Sequence, residues 1–172
     1  MAEALATVAR VTDLGMIAVR ADLEEAGDAL AEAAGLAIPE RTGIVTDGSR
    51  SLAWMSPDEL LLVLPAAETA AALRDLEQAL TGTHGMAVDM SDARAVFDVT
   101  GPGAADVVAK LAPVDAARFP EGHLRRTRMA QTAAALWRID GGFRVIGFRS
   151  TADYLGLILA NAALPGSHLA PR

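Results

Sequence analysis

The stretch AAALWRIDGGFRVIGF, residues 133–148, decides the fold, because it joins two apolar segments through a short glycine-containing turn. Asp140–Gly142 is a strong β-turn signal, and strand-forming residues lie on both sides of it. The stretch therefore predicts a β-hairpin.

A second hairpin is predicted for RSLAWMSPDELLLVLP, residues 50–65, with Pro57-Asp58 in the turn. The alternative is a helix that begins at Ser56, since Ser56 and Glu59 have the spacing of a capping box. Pro65 ends the apolar run too early for a typical helix, which favours the hairpin.

Each hairpin is preceded by a strand and a helix and is followed by another helix. The predicted strands lie near Met16–Arg20 and at 93–99. In the first half, one predicted helix carries Leu23, Ala26, Leu30 and Ala33, and a second covers about 68–80. In the second half, one predicted helix covers Pro102–Leu111, and the last carries Tyr154, Leu157, Ile158 and Asn161. The first helix would end at Gly35, and the last would begin near Ser150, with Ser150 and Asp153 at capping-box spacing.

This repeated order predicts an α+β fold of two tandem ferredoxin-like (split βαβ) halves related by internal duplication. Trp54 and Trp137 occupy equivalent places in the two hairpins and are expected in the core. We expect residues 1–85 and 86–172 to be the two halves of one compact structural unit. Strands around Val88 and near the C-terminus would complete the sheets.

Composition narrows the class of protein. The chain has 172 residues, of which 52% are hydrophobic, and it contains no cysteine, so disulfides and thiolate metal sites are excluded. The opening MAEALATVAR does not resemble a signal peptide, and the uncharged stretch from Tyr154 loses its apolar character after Leu164. We therefore expect a cytoplasmic protein that does not enter a membrane.

Charge is unevenly distributed along the chain. The net charge is −7, with 14 acidic and 5 basic residues in 1–80 but 8 acidic and 10 basic residues in 81–172. Arg118, Arg125, Arg126 and Arg128 form a local cluster opposed only by Glu121. An acidic chain with so small a basic cluster is not expected to bind nucleic acid. The cluster suits a carboxylate, a phosphate or an acidic partner, or else is a solvated loop.

The motifs that could support catalysis have simpler structural interpretations. Thr100–Gly103 lacks the spacing of a phosphate-binding loop, and Pro102 fits the first position of a helix capped by Thr100 or Gly101. Asp89 and Asp92 are paired carboxylates that fit an Asp/Ser-stabilised turn. The three histidines show no metal-ligand spacing. The residues therefore indicate no catalytic, cofactor-binding or metal-binding site.

Residues 88–159 nevertheless resemble a known family, the gamma subunit of heterotetrameric sarcosine oxidase. The resemblance covers roughly residues 10–164 and is most specific in TRMA (127–130), LWR (136–138) and RSTADYL (149–155). Where that family commonly has Trp, this chain has Leu60 and Gly156. VTGPGAADVVAKLAPVD, residues 99–115, also resembles the more distant aminomethyltransferase (glycine cleavage T-protein) superfamily, whose N-terminal part would have this fold.

The resemblance implies a non-catalytic subunit of an oxidoreductase complex. Such an enzyme oxidatively demethylates sarcosine to glycine, produces hydrogen peroxide and passes the one-carbon unit to tetrahydrofolate. FAD, FMN, NAD and tetrahydrofolate would belong to partner subunits. This chain would hold none of them and would pack against the large (alpha) subunit, with beta and delta subunits also present in the complex.

We expect two segments to contact the large subunit. These segments contribute Arg125, Arg126, Arg128, Arg149 and Tyr154, since Arg and Tyr are suited to interfaces. The alternative function is a free-standing folate-binding protein of the aminomethyltransferase type, with Asp89, Asp92 or Asp98 as the acidic partner of the pterin.

Overall fold

The computed structural model describes residues 3–169, which form ten strands and four α-helices joined by turns and short 3₁₀ segments. In chain order these are β1 (Thr7–Val11), β2 (Leu14–Arg20), α1 (Leu23–Ala34), β3 (Ile44–Asp47), β4 (Arg50–Ser56), β5 (Glu59–Pro65), α2 (Thr69–Ala79), β6 (Met86–Asp89), β7 (Arg94–Thr100), α3 (Ala104–Leu111), β8 (Leu124–Met129), β9 (Thr132–Ile139), β10 (Gly142–Phe148) and α4 (Ala152–Ala162). Both predicted hairpins are confirmed. Among the helices of residues 3–169, none has the length and apolar character needed to cross a membrane.

The described residues divide into two compact units, each with one five-stranded antiparallel sheet and two α-helices. Residues 13–92 form a sheet with strand order β3-β4-β5-β2-β6. Residues 3–12 and 93–169 form a sheet with strand order β1-β7-β10-β9-β8. Four neighbouring strands in each sheet follow the ferredoxin-like order, and a fifth strand extends it. The predicted α+β fold with tandem ferredoxin-like halves is confirmed.

The boundary between the units differs from the predicted division at residues 85 and 86, because the two repeats exchange a strand. Strand β1 precedes the first repeat but pairs with β7 of the second, from Thr7 opposite Thr100 to Val11 opposite Val96. Strand β6 precedes the second repeat but pairs with β2 of the first. The expected strand around Val88 is therefore present. No strand forms within 163–169, and residues 170–172 lie outside the described residues. The expectation of one compact structural unit stays a prediction.

The core of the unit formed by residues 13–92 lies between its sheet and helices α1 and α2. Helix α1 begins after Asp22, whose carboxylate accepts a hydrogen bond from the Glu24 N–H at 2.9 Å. It ends at Gly35 in the left-handed conformation, as the sequence predicts. Trp54 is only half-buried on β4.

The core of the other unit includes the segment that leads into β1. Leu5 is buried, its N–H donates to the Ala163 carbonyl, and its own carbonyl accepts from the Gly103 N–H at 2.9 Å. A Cβ at Gly103 would lie 2.6 Å from that carbonyl oxygen, so only glycine allows this close approach. Thr100–Gly103 therefore turns the chain and receives the N-terminal segment. In the same unit, Trp137 is buried, as predicted.

Two predicted helix starts are wrong. Helix α3 begins at Ala104 with Gly103 at its N-cap, so Pro102 lies in the preceding turn and not at the first helical position. Helix α4 begins after Thr151 and has no side-chain cap, so Ser150 and Asp153 form no capping box. A 3₁₀ segment, Arg149–Thr151, occupies the place where that cap would lie.

Candidate partner-binding surface

Three of the four arginines of the predicted cluster lie on β8, which is an edge strand, while Arg118 lies in a turn before it. Leu124 and Met129 are buried at its two ends, while Arg125, Arg126 and Arg128 are exposed between them. The strand pairs with β9 on one side and has no strand partner among residues 3–169 on the other. The segment is therefore a strand and not the solvated loop that the sequence also allowed.

The register of β8 separates the arginines between two faces. Arg125 lies opposite Leu136, a core residue on the helix-covered face, whereas Arg128 lies opposite Ala133 on the other face. Within residues 3–169, the side chains of Arg125 and Arg128 make no hydrogen bond or ion pair, while Arg126 and Arg149 each interact with another group of the chain. Arg125 and Arg128 thus remain available to an external partner.

The structure brings the end of β8 close to the start of α4. Thr132, which follows the turn after β8, forms a 2.9 Å hydroxyl–hydroxyl hydrogen bond with Thr151, which precedes α4. Arg149 is exposed in the 3₁₀ segment, and Tyr154 is exposed on the first turn of α4. The two segments predicted to contact a partner are therefore neighbours around this hydrogen bond. We call the exposed face of α4, together with the neighbouring end of the edge strand β8, the α4–β8 surface; Arg128 lies at that end, on the sheet face away from α4.

Two of the residues that predict helix α4 lie on its outer face. Tyr154 and Leu157 are exposed, with Leu157 72% accessible. The buried row is Ala152, Leu155, Leu159 and Ala162. Periodicity could not identify the inner face because α4 has apolar residues on both sides. Gly156 lies against the Phe97 ring, where a Cβ would approach a ring carbon to 3.0 Å.

The carboxylates considered for a pterin site have partners in the chain. Asp89 accepts hydrogen bonds from the N–H and hydroxyl of Ser91, which confirms the predicted turn. Asp98 forms a two-pronged ion pair with Arg144, with N–O distances of 2.7 and 2.8 Å. Asp92 also interacts within the chain. Nowhere in residues 3–169 do three or more histidine or acidic side chains cluster as a metal site would require.

The pKa of Asp58, in the β4–β5 turn, is lowered below its ordinary value. The Ser56 hydroxyl donates to Asp58 at 2.6 Å and lowers the pKa of Asp58, and Arg20, at 2.9 Å, lowers it further. Arg20 also pairs with Glu59 at 3.1 Å. This exposed ionic cluster ties the hairpin turn to the end of β2.

The sequence profile of the sarcosine oxidase, gamma subunit family matches residues 20–164. The chain belongs to this family. Curated gamma subunits from Arthrobacter sp and from Corynebacterium sp. (strain U-96) are 33% and 36% identical over 138 residues. Each match covers 78% of this chain but only 66% and 65% of the relative, so the matched region spans less than two thirds of those gamma subunits.

Solved structures agree with this family. A chain of the heterotetrameric sarcosine oxidase from Corynebacterium sp. U-96, in complex with pyrrole 2-carboxylate, matches with a TM-score of 0.86 and 28% identity over 97% of this chain and 88% of that chain. Aminomethyltransferase T of the Bartonella henselae glycine cleavage system matches with a TM-score of 0.65 and 20% identity, covering 90% of this chain and 45% of that one. The second likeness shows a shared fold. The family and fold resemblances predicted from the sequence are confirmed.

Proposed function

We propose that this chain is the gamma subunit of a cytoplasmic heterotetrameric sarcosine oxidase and that it acts by binding the large subunit. The observation that carries this proposal is the match over 97% of the chain to a chain of such an enzyme, at a TM-score of 0.86. Beta and delta subunits would complete the assembly.

In this proposal the chemistry takes place on the partner subunits. The assembled enzyme would oxidise sarcosine to glycine, form hydrogen peroxide and transfer the one-carbon unit to tetrahydrofolate. FAD, FMN, NAD and tetrahydrofolate would be bound by the other subunits. The gamma subunit would support this chemistry through the stability of the assembly.

Exposed side chains support a binding role. Arg125 and Arg128 are exposed and have no intramolecular partner among residues 3–169, and Tyr154 is exposed nearby on α4. Arginine can form two parallel hydrogen bonds with a carboxylate, which gives both affinity and orientation at an interface. We propose that these residues, together with Arg126 and Arg149, contribute to the contact with the large subunit.

Co-expression of the tagged chain with the alpha, beta and delta subunits of the same organism tests the proposal. We expect the tag to retain flavin-containing subunits, and we expect omission of the chain to lower the yield of intact, sarcosine-oxidising complex. The double variant Arg126→Glu/Arg128→Glu should weaken retention, whereas Arg74→Glu on α2 should not. A tagged chain that retains none of the three subunits would refute the proposal.

Titration of the isolated chain with tetrahydrofolate tests the alternative of a free-standing folate-binding protein. Under the proposal, tetrahydrofolate binds to the assembled complex but not to the isolated chain. Saturable binding to the isolated chain would support the alternative.

A further inference from the structure

Helix α4 has an internal counterpart that shows what its outer face would look like if it faced water. The duplication makes α2 the counterpart of α4, because each follows the hairpin of its repeat. The buried positions of the two helices have the same spacing and include Thr69, Ala72 and Leu76 in α2, and Ala152, Leu155 and Leu159 in α4. The outer positions can therefore be compared one by one.

Outside the first turn, where Asp153 is exposed, the outer face of α4 is uncharged, whereas that of α2 is charged. Where α2 carries Arg74, Asp75 and Glu77, all exposed, α4 carries Leu157, Ile158 and Ala160. Leu157 is 72% exposed at the position that corresponds to Arg74. A water-facing helix normally carries charged and polar residues on its outer side, and an apolar outer row is typical of a helix that is covered on both sides.

The apolar row continues beyond Leu157. Tyr154 lies one turn before it and is 39% exposed, and Leu164 lies just after the helix and is 52% exposed. Between Tyr154 and Leu164 the sequence contains no charged residue. Exposed apolar residues along one face of a helix mark interaction sites, and an exposed Tyr beside them is a typical anchor at an interface.

Charge indicates what kind of surface covers the row. Residues 93–169 and 3–12 contain 10 basic and 7 acidic side chains, whereas residues 13–92 contain 4 basic and 15 acidic ones. The basic unit thus carries α4 and also β8, whose Arg128 has no intramolecular partner in the described chain. The two elements are linked by the hydrogen bond between Thr132, three residues after β8, and Thr151 at the start of α4. An apolar surface bordered by carboxylates complements such a site, because it covers the leucines and pairs with the arginine.

We propose that the α4–β8 surface docks onto an apolar patch of the large subunit that is bordered by acidic side chains. This inference rests on the proposed function and names the surface that performs it. Leu157 and Tyr154 form the centre of the contact, and Arg128 lies at its rim. The central residues contribute most of the affinity, while the rim arginine contributes to the association rate and to the dependence on salt.

The test compares three variants of the tagged chain, each co-expressed with the other subunits. Leu157→Arg gives α4 the residue type that α2 has at this position, so the fold should persist while the apolar centre is lost. Arg128→Glu reverses the rim charge, and Arg74→Glu is the control on the corresponding helix. Circular dichroism and thermal unfolding of each isolated chain verify folding.

We expect Leu157→Arg to reduce the amount of large subunit retained by about tenfold or more, as for a central interface residue. Arg128→Glu should reduce retention less, by about threefold, and this loss should shrink as salt is raised. Arg74→Glu should retain as much as the wild type. Unchanged retention by Leu157→Arg would overturn the inference while leaving the proposed function standing, since the wild type would still bind. Failure of the wild type to retain partners would overturn both.

A second copy of the chain is the competing occupant of this surface. Sedimentation of the isolated chain distinguishes it from the large subunit. The inference requires Leu157→Arg to leave the oligomeric state of the isolated chain unchanged. A wild-type dimer that Leu157→Arg converts to a monomer would assign the surface to self-association and overturn the inference.

Discussion

Replacement of Leu5 by alanine should destabilise the second repeat, although Leu5 belongs to the first ten residues of the chain. Leu5 is 4% exposed and belongs to the core that α3 and α4 form with β7, β9 and β10. Its backbone is hydrogen-bonded to Ala163 and Gly103. A division of the chain at residue 85 would instead make Leu5 part of the first half.

The magnitude follows from what the substitution removes. Truncation of a buried leucine to alanine costs about 2–5 kcal/mol, as the sum of lost burial and of the cavity that remains. The backbone hydrogen bonds of Leu5 persist in Leu5→Ala, so we expect a cost near the middle of that range, about 3 kcal/mol. If exchange of the most protected amides requires opening of this unit, their exchange should accelerate about 100-fold.

Hydrogen exchange read by mass spectrometry is the appropriate assay, because it assigns the loss of protection to a segment. Protection should fall in α3, α4 and β7 and should persist in α1, α2 and β5. Thr7→Ala, an exposed change on β1, is the control and should alter stability by no more than about 0.5 kcal/mol. Loss of protection in α1 and α2, or no loss anywhere, would refute the pairing of β1 with the second repeat.

Three further predictions concern single contacts. Gly142→Ala should lower the free energy of unfolding by at least about 2 kcal/mol in denaturant titration, since its Cβ would lie 2.0 Å from a carbonyl oxygen of β7; an unchanged midpoint would contradict this. Arg144→Leu should cost about 2 kcal/mol because it leaves the Asp98 carboxylate unpaired, and adding Asp98→Leu should recover most of that loss; additive losses would contradict the pairing. Ser56→Ala should raise the pKa of Asp58 toward its ordinary value in an NMR titration. Because the pKa of Asp58 is lowered in the folded chain, its contribution to stability is present at neutral pH and is lost as the pH falls through that pKa; an unmoved titration in Ser56→Ala would exclude the hydroxyl as the main cause.

The sequence predicts the repeated elements well because their signals are local. Asp140–Gly142 fixes one hairpin, and Gly35 adopts the left-handed conformation that ends α1. The duplication follows from the repeated order of these elements. Local signals identify an element, but they do not specify the sheet that it joins.

The exchange of β1 and β6 could not be predicted from local patterns. Both strands are short, and their residues are mostly exposed or half-buried, so they lack a clear alternation. Their pairing is a long-range choice, with Val8 opposite Val99 and Ala18 opposite Val88. The sequence predicts that Gly103 is a turn residue, but its second role, the close approach of Leu5, depends on a contact across about 100 residues of chain.

The partner-contact role of Arg125, Arg126 and Arg128 stays a prediction. Of these three residues, Arg126 already interacts with another group of the chain. The sequence does not identify Leu157 as a surface residue, because hydrophobic periodicity cannot distinguish the inner from the outer face of a helix that is apolar on both sides. A comparison with α2 identifies the inner face of α4, since the buried residues have the same spacing in the two helices.

Native mass spectrometry of the tagged chain, purified gently from its own host, tests the central claim most directly when combined with an absorbance scan of the same fraction. We predict that the 17.8 kDa chain arrives in a complex with larger subunits and with flavin absorbance near roughly 450 nm. A colourless fraction that contains the 17.8 kDa chain alone would contradict its assignment as a subunit of the oxidase.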